Sequence, residues 1–408
     1  MRLLILSLNA FPYPPTSGPA EGRTFNLLKY LCQHHQVTLV THRTTDSSQA
    51  DEQVLKDLVA RLQVFPPLEK SAFVQRGNSG IKKVTRFAQF LITATPPNIA
   101  YRFSPKVYAW VNQFVRDGKC DAVICEHSVN EMYIQPDFRE QVQTVVDIHS
   151  SVYGWILNHL EAGASRNAMR DRFYLPLLAR YEKRYCRKFS HLIATTPDDR
   201  QQLLALMPNA KITIVPNGVD LETFTYRPAD PGGYRLVFVG TMDSTHNVDA
   251  ACFFATEVFP RVLARYPQAA LTLVGSRPIA AVQALDQLPG VTVTGRVPSI
   301  VEYIHQATVG VVPLRAGLGI KTKTLESMAC GIPIVASDRG LEGLTVDTAD
   351  VPLRALRANR VEDYLTAISR LFEAADLRQT LSHNARQMIE TEYTWEIAGQ
   401  RYDQVLSI

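Results

Sequence analysis

Short runs of aliphatic and β-branched residues alternate with helical patterns along the whole chain. In the first half these runs lie at 3–8, 37–41, 121–127, 144–149, 191–196 and 212–216. In the second half they lie at 235–240, 270–275, 291–295, 309–314 and 332–337. Nearly continuous apolar strands joined by helices are typical of parallel sheets that are covered on both faces. The sequence therefore predicts an α/β fold built from doubly wound, Rossmann-like sheets.

Length and one break in this pattern predict how the chain divides. With 408 residues it is too long for a single ordinary core. Residues 216–233 contain prolines and turn dipeptides without periodicity and are interpreted as a linker. We expect an N-terminal domain over 1–215 and a C-terminal domain over 234–391. The pattern of residues 392–408 predicts a final amphipathic helix, which we expect to cross back onto the first domain.

Composition and missing motifs exclude several classes of protein. The net charge of +4 is too small to indicate nucleic-acid binding. The six cysteines form no CxxC pair, which argues against a zinc site or a disulfide framework and favours reduced thiols in the cytoplasm. We find no apolar run of about 18 residues that would span a membrane. The absence of G-x-G-x-x-G after the first strand, and of a Walker A motif, argues against dehydrogenases and NTPases.

The stretch GLGIKTKTLESMACGIPIV, at 317–335, places lysines where a helix disfavours them. Its helix begins near Thr322, so Lys321 and Lys323 lie at the first turn, where the helix dipole is positive. A bound anion would explain both lysines. Glu326 lies one turn deeper, beside apolar residues, and ribose hydroxyls would be suitable donors to its carboxylate. An ordinary ion pair between Lys323 and Glu326 is the alternative, although this orientation is the weaker one. We predict a nucleotide-diphosphate site here.

Ligands of doubly wound sheets bind beyond the carboxyl ends of the strands, so we expect a site in the cleft between the domains. His149 follows the strand at 144–149 and is the first candidate of the N-terminal domain; His127, at the end of the previous strand, is second. A structural histidine is about as common an explanation. The loop after the first strand contains Gly18 and Gly22, which would let its backbone approach a ligand or simply form a turn.

Six segments together resemble the retaining glycosyltransferases of family 4, which have the GT-B fold. They are TTPDDRQQL (195–203), VPNGVDLETF (215–224), LVFVGTM (236–242), LTLVGS (271–276), VTVTGRVPS (291–299) and GIKTKTLESMACGIPIVAS (319–337). The resemblance covers nearly the whole chain and favours the bacterial branch that builds exopolysaccharide and envelope glycans. It implies transfer of a sugar from a nucleotide-sugar, with a UDP-sugar as the expected donor. It also implies retention of configuration and no metal or other cofactor.

The resemblance also assigns roles to residues. Glu326 would bind the ribose, and His149 would contact the donor sugar near the reacting carbon. Lys321 and Lys323 stand where many relatives have Gly and Pro, and we expect them to act on the diphosphate. The remaining donor contacts fall in loops that face the phosphates or bracket the base: Gly18, Gly240, Thr241, Arg296, Val297, Gly319, Ile320 and Thr322.

Three positions depart from the family pattern. Leu318 stands where the first glutamate of E-x7-E belongs, so the usual contact to the sugar hydroxyls is missing. The family's two diphosphate-binding cations fall at Thr241 and at His246 or Asn247, none of which carries a fixed positive charge. We expect Lys321 and Lys323 to replace that charge. No strong carboxylate nucleophile is apparent, since Glu21 and Asp147 are the nearest, which favours front-face attack over a covalent intermediate.

Two basic segments indicate an acceptor side near a membrane. Residues 166–188 contain eight Arg or Lys against two acids, and residues 76–91 contain four basic residues and no acid. Aromatic and aliphatic residues interleave with both, as expected for peripheral binding to anionic lipid on the inner face of the membrane. A solvated helix face is the alternative. A glycan or lipid-linked acceptor is expected.

Two other functions fit the same architecture. A nucleotide-sugar 2-epimerase needs an acid/base pair of carboxylates near the sugar, and the chain shows no evident pair. A non-catalytic binding protein could have kept the fold after losing the first glutamate and both cations. Turnover of a donor distinguishes the last function from the others, and the identity of the sugar product distinguishes the epimerase.

Overall fold

The computed structural model describes residues 1–15, 18–44, 47–67, 90–149, 151–161, 165, 167–317 and 319–407. The chain divides into two compact units. The first comprises Met1–Pro216 and Ala398–Ile408, and the second comprises Asn217–Ile397. Each is an α/β unit with its own parallel sheet, which confirms the predicted fold class.

The first unit contains a seven-stranded parallel sheet in the order β3-β2-β1-β4-β5-β6-β7. Its strands are β1 (Arg2–Ser7), β2 (Gln36–His42), β3 (Arg61–Phe65), β4 (Ala122–Glu126), β5 (Gln143–Ile148), β6 (His191–Ala194) and β7 (Ile212–Ile214). The strands β1, β4 and β5 are almost wholly buried, because aliphatic side chains occupy both faces. The order reverses between β1 and β4, which makes their carboxyl ends the expected ligand edge.

Helices surround this sheet. They are α1 (Pro19–His34), α2 (Gln49–Leu58), α3 (Pro97–Ala100), α4 (Pro105–Arg116), α5 (Val152–Glu161), α6 (Ala168–Cys186) and α7 (Pro197–Leu206), with 3-10 turns at Ser128–Tyr133 and Pro136–Glu140. Several begin at side-chain caps; for example, Ser48 and Asp51 form a reciprocal capping box on α2.

The second unit contains a six-stranded parallel sheet in the order β10-β9-β8-β11-β12-β13. Its strands are β8 (Arg235–Val239), β9 (Ala270–Val274), β10 (Val291–Gly295), β11 (Val309–Val312), β12 (Ile334–Ala336) and β13 (Leu356–Arg357). Here the order reverses between β8 and β11. The loops after these two strands therefore border the expected ligand position of this unit.

The helices of the second unit pack on both sides of that sheet. They are α8 (Thr245–Phe253), α9 (Phe259–Arg265), α10 (Ala280–Gln283), α11 (Ile300–Gln306), α12 (Thr322–Ala329), α13 (Val361–Glu373) and α14 (Ala375–Glu392). A π-helical turn at Phe254–Val258 and a 3-10 turn at Ala284–Gln287 complete the set. A last helix, α15 (Trp395–Leu406), leaves this unit and belongs to the first unit from Ala398 onward.

The segment interpreted as a linker, 216–233, belongs to the second unit from Asn217 onward. Val219 joins the hydrophobic core of that unit. Arg227 is buried and donates to the carbonyl of Ala307. Prolines and turn residues thus mark a packed loop here, because its few apolar side chains are enough to anchor it.

All six cysteines are free thiols, and four of them are buried. Among the described residues, none of the helices combines the length and the apolar composition needed to cross a bilayer.

Candidate functional site

The loops at the reversal point of the second sheet bring Lys323 next to Gly240. Lys323 extends from the first turn of α12 toward the end of β8, and a methyl group added to Gly240 would lie 2.7 Å from its Nζ. The ammonium donates to Asn247 Oδ1 and lies 4.8 Å from the centre of the Phe238 ring. Asn247 is buried and donates in turn to the carbonyl oxygen of Thr241 at 2.9 Å. The lysine thus occupies the region of Thr241 and Asn247, where the sequence lacks the expected cations.

Burial shifts the pKa values of Lys323 and of Glu326, which lies one turn further along α12. It lowers the pKa of Lys323 to about 7, with the carboxylate of Glu326 opposing the shift. Burial likewise raises the pKa of Glu326 to about 7, against the attraction of Lys323. Among the described residues, no ion pair joins the two side chains, so the simple Lys323–Glu326 pair considered from sequence does not form. Both groups are available to change protonation when a charged ligand arrives.

Lys321 has different surroundings. It is the residue preceding the first turn of α12, and its Nζ forms an ion pair with Glu342 Oε2 at 3.0 Å. The same ammonium donates to the carbonyl oxygen of Gly319. Arg339 lies on the other oxygen of Glu342, at 3.1 Å. Glu342, which lies 21 residues further along the chain, therefore already compensates the charge of Lys321.

The other predicted donor contacts lie around these two loops. Gly317 and Gly319 have positive φ angles of 105° and 75°, which explains why the loop before α12 needs glycine. Ile320 packs against the core, and Thr322 opens the helix. Arg296 is exposed and Val297 half-buried, after the edge strand β10. Leu318, the position of the missing glutamate, lies outside the described residues.

In the first unit, His149 follows β5 and contacts a carboxylate from the neighbouring strand. Its Nε2 lies 3.3 Å from Glu126 Oε2, and its side chain is 15% exposed. Asp147, two residues earlier, is fully buried and receives Arg23 at 2.8 Å. Such burial and pairing make Asp147 unsuitable as the nucleophile that the sequence left open. Gly18 directly precedes α1 and has an extended conformation.

Glu126, Asp147 and His149 also bring potential metal-ligand atoms within 4.8 Å of one another. The guanidinium of Arg23, which is 2% exposed, is directed at Asp147 and already supplies a positive charge there. Tyr402 of α15 donates to the same carboxylate. Both donors contact Asp147 Oδ2, whereas the buried Oδ1 has no hydrogen-bond partner among the described residues.

The fold, with a Rossmann-like sheet in each unit, is that of GT-B glycosyltransferases. A model described as Glycosyltransferase Family 4 matches residues 20–223, and one described as Glycosyl transferases group 1 matches residues 233–374. The chain belongs to glycosyltransferase family 4, as its motifs predicted.

Individual relatives are distant. The D-inositol 3-phosphate glycosyltransferase of Actinosynnema mirum is 28% identical over 229 residues, which is 50% of this chain and 54% of that protein. The chain thus spans about half the length of the curated relatives it matches. HepE of Anabaena, solved in complex with UDP and glucose, aligns over 100% of this chain and 99% of its own with a TM-score of 0.64 and 15% identity. WaaG, described as a glycosyltransferase involved in lipopolysaccharide biosynthesis, aligns over 99% of both chains with a TM-score of 0.60 and 14% identity.

Proposed function

We propose that this glycosyltransferase moves a hexose from a UDP-sugar to a glycan or lipid-linked acceptor, with retention of anomeric configuration. The observation that carries the proposal is the position of Lys323. Its half-buried ammonium lies beside Gly240 at the reversal point of the second sheet, on the first turn of a helix, one turn before Glu326. Cation, helix N-terminus and carboxylate together match the diphosphate and ribose of a nucleotide.

Lys323 is the better of the two predicted cations. The charge of Lys321 is already compensated by Glu342, whereas Lys323 rests on a neutral amide and an aromatic face. A cation held in a poorly solvated position stabilises negative charge on a departing diphosphate more strongly than one in water. In this proposal Lys323 binds the diphosphate, and Glu326 accepts hydrogen bonds from the ribose hydroxyls. Lys321 orders the loop before α12 and stabilises the diphosphate charge more weakly than Lys323.

The remaining donor roles follow the family. His149 contacts the hexose near the reacting carbon. Backbone groups of Gly240, Thr241, Gly319, Ile320 and Thr322 face the diphosphate, Gly18 faces it from the first unit, and Arg296 and Val297 bracket the base. Because Asp147 is buried and paired, the acceptor attacks on the face from which the diphosphate leaves, and the phosphate takes its proton. No metal is required in this scheme, since Lys323 and the helix supply the positive charge.

Known proteins support the choice of donor and pathway. HepE was solved with UDP-glucose, and WaaG acts in lipopolysaccharide biosynthesis. These likenesses motivate a UDP-sugar and an envelope or exopolysaccharide product for a cytoplasmic enzyme.

A donor panel tests this proposal. UDP-, GDP- and ADP-sugars are scored by thermal shift, and the best binder is then incubated with EDTA while nucleotide release and the anomeric configuration of the product are followed by NMR. A ligand at 100 times its Kd adds about 2.7 kcal/mol to apparent stability, which is readily measured. We expect a UDP-sugar to bind and turn over with retention. Binding without turnover would favour the non-catalytic alternative, and a C2-epimerised sugar would identify an epimerase.

We propose that the exposed face of α6 places the acceptor side of the first unit against anionic lipid. This basic face consists of Met169, Arg172, Phe173, Arg180, Lys183 and Arg187, which repeat at helical spacing and are all exposed. The two acids of the helix, Asp171 and Glu182, are buried on the opposite side. The basic residues of the other segment, 76–91, lie outside the described residues.

Vesicle sedimentation tests the membrane contact. We expect binding to vesicles containing phosphatidylglycerol, no binding to phosphatidylcholine alone, and loss of binding in an Arg172→Glu, Arg180→Glu, Lys183→Glu variant. Equal binding of this variant and the wild type would refute the assignment of α6. Charge reversal at Arg261 and Arg265, which are exposed on the second unit, serves as the control.

A further inference from the structure

A buried polar cluster lies under His149 at the carboxyl edge of the first sheet. Arg23 and Thr24 of α1, Glu126 of β4, Asp147 of β5 and Tyr402 of α15 meet there, and none is more than 4% exposed. Buried charged groups cost stability unless they are fully paired. The cluster nevertheless brings together residues from four separate elements.

The contacts of Glu126 determine which nitrogen of His149 carries a proton. Glu126 receives the hydroxyl of Thr24 at 3.3 Å on Oε2 and the hydroxyl of Tyr402 at 3.4 Å on Oε1. Its Oε2 also faces His149 Nε2 at 3.3 Å. A carboxylate accepts hydrogen bonds and donates none, so Nε2 must be the protonated nitrogen. The other ring nitrogen, Nδ1, forms no hydrogen bond with any described residue.

The neighbouring His127 fixes the plane of the ring. The two imidazole centres lie 5.4 Å apart at an interplanar angle of 62°, an edge-to-face contact. Burial lowers the pKa of His127 to about 4, so it packs as a neutral ring. Its φ of 71° is uncommon outside glycine, and such strain persists where the surroundings over-determine a conformation.

We propose that Glu126 is a positioning residue for His149. It holds the neutral imidazole in the Nε2–H tautomer and so leaves Nδ1 as the acceptor for a hydroxyl of the donor hexose. The hydroxyl of Tyr402, which reaches both Asp147 and Glu126, holds the carboxylate in place. The hexose in this statement rests on the proposed function, whereas the tautomer is a property of the protein alone.

The tautomer is measured without any ligand. Full-length protein labelled with 15N-histidine gives long-range 1H–15N spectra in which protonated and unprotonated ring nitrogens are well separated. His149 is assigned among the ten histidines by the signal lost in a His149→Gln variant. Above the titration of this ring we expect Nε2 to carry the proton. A wild-type protein with the proton on Nδ1 would overturn the proposal.

Two variants test the partners of the ring. Glu126→Gln keeps the shape but presents an amide that can either accept or donate, so we expect a mixture of both tautomers. Tyr402→Phe removes one hydroxyl and is expected to give a smaller shift in the same direction; an unchanged spectrum would remove Tyr402 from the proposal. If Glu126→Gln does not fold, Thr24→Val is used instead. It removes the hydrogen bond of Thr24 to Glu126 Oε2, the oxygen that faces His149. An unchanged single tautomer in the Glu126 variant would refute the role of Glu126.

The matched control lies on the same C-terminal helix. Asp403 also pairs a carboxylate with a histidine, His35, at 2.7 Å. Asp403→Asn is expected to change the signals of His35 and to leave those of His149 unchanged. Movement of the His149 signals in this control would show that they report on general loosening of α15.

Activity then links the tautomer to the donor. For the donor that turns over, we expect Glu126→Gln to lower kcat/KM about 10- to 100-fold, the range typical of losing the partner that orients a metal-bound histidine. In a His149→Ala background the same change should have almost no further effect, because the group it orients is gone. Independent, multiplicative losses would refute the coupling. Absence of turnover with every donor would count against the proposed function while leaving the tautomer result intact.

Discussion

Binding of UDP should draw a proton onto Lys323. Burial lowers the pKa of this ammonium to about 7 in the unliganded protein. A diphosphate beside it favours the charged form and raises that pKa, because opposite charges stabilise each other. The substitution that tests this is Lys323→Met, which keeps the length of the side chain and removes the titrating group.

The size of the effect follows from the two pKa values. At pH 8 a group with a pKa of about 7 is about 90% deprotonated, so binding should take up about 0.9 proton at Lys323. The pKa of Glu326 is also raised to about 7, so about 10% of this carboxyl is protonated at pH 8 and its release subtracts about 0.1 proton. We expect a net uptake of about 0.8 proton. Affinity for UDP should consequently fall about sixfold per pH unit near pH 8.

Isothermal titration calorimetry in two buffers of different ionisation enthalpy measures this uptake directly. In Lys323→Met we expect the uptake to vanish and Kd to rise about 30-fold, which corresponds to a charged hydrogen bond of about 2 kcal/mol. Lys29→Met, on α1 of the first unit, is the control and should retain the uptake. A wild-type protein that binds UDP at pH 8 without taking up a proton would refute the reasoning, as would uptake that persists in Lys323→Met.

Two further predictions concern stability. Gly331→Ala should cost about 2–4 kcal/mol in urea unfolding, because φ is 75° and the new methyl group would lie 2.4 Å from the ring of Tyr226. Gly118→Ala, at φ 64° with nothing within 4 Å, isolates the backbone cost and should lose only about 1 kcal/mol; equal losses would contradict the steric argument. Burial raises the pKa of Glu182 to about 7, so the folded state binds its proton more tightly than the unfolded chain. Its contribution to stability should therefore fall by about 3 kcal/mol as pH rises from about 4.5 to about 7. Subtracting the unfolding profile of Glu182→Gln from that of the wild type isolates this slope, and identical profiles would rule it out.

Interior strands were the most predictable part of the fold. Every strand expected from apolar runs is present, including the edge strands β7 and β10. The interior strands are apolar throughout because they are buried on both faces. The edge strands β3 and β13 were not predicted. Arg61 and Gln63 interrupt the apolar pattern of β3, and β13 is only two residues long. An edge strand is less buried than an interior strand, so its sequence need not be apolar throughout and the hydrophobic pattern predicts it less well.

The candidate site shows a similar division. His149 and Lys323 could be selected because each lies at the end of a strand or the start of a helix, and such positions can be inferred locally. Their partners could not. Lys323 meets Asn247 across 76 residues, and Asp147 meets Tyr402 across 255. Glu126 had a local signal, since it ends a buried strand directly before His127, but a lone carboxylate there did not reveal which histidine it would face.

The return of α15 to the first unit has a consequence for how the protein is made. The first unit is discontinuous in sequence, and its polar cluster needs Tyr402 as well as Arg23. During synthesis the whole second unit, Asn217–Ile397, leaves the ribosome before the last helix does. The second unit is therefore free to fold first, even though domains more often fold in order from the N-terminus. Until α15 emerges, Asp147 and Glu126 lack the hydroxyl of Tyr402, so the polar cluster of the nascent first unit is incomplete.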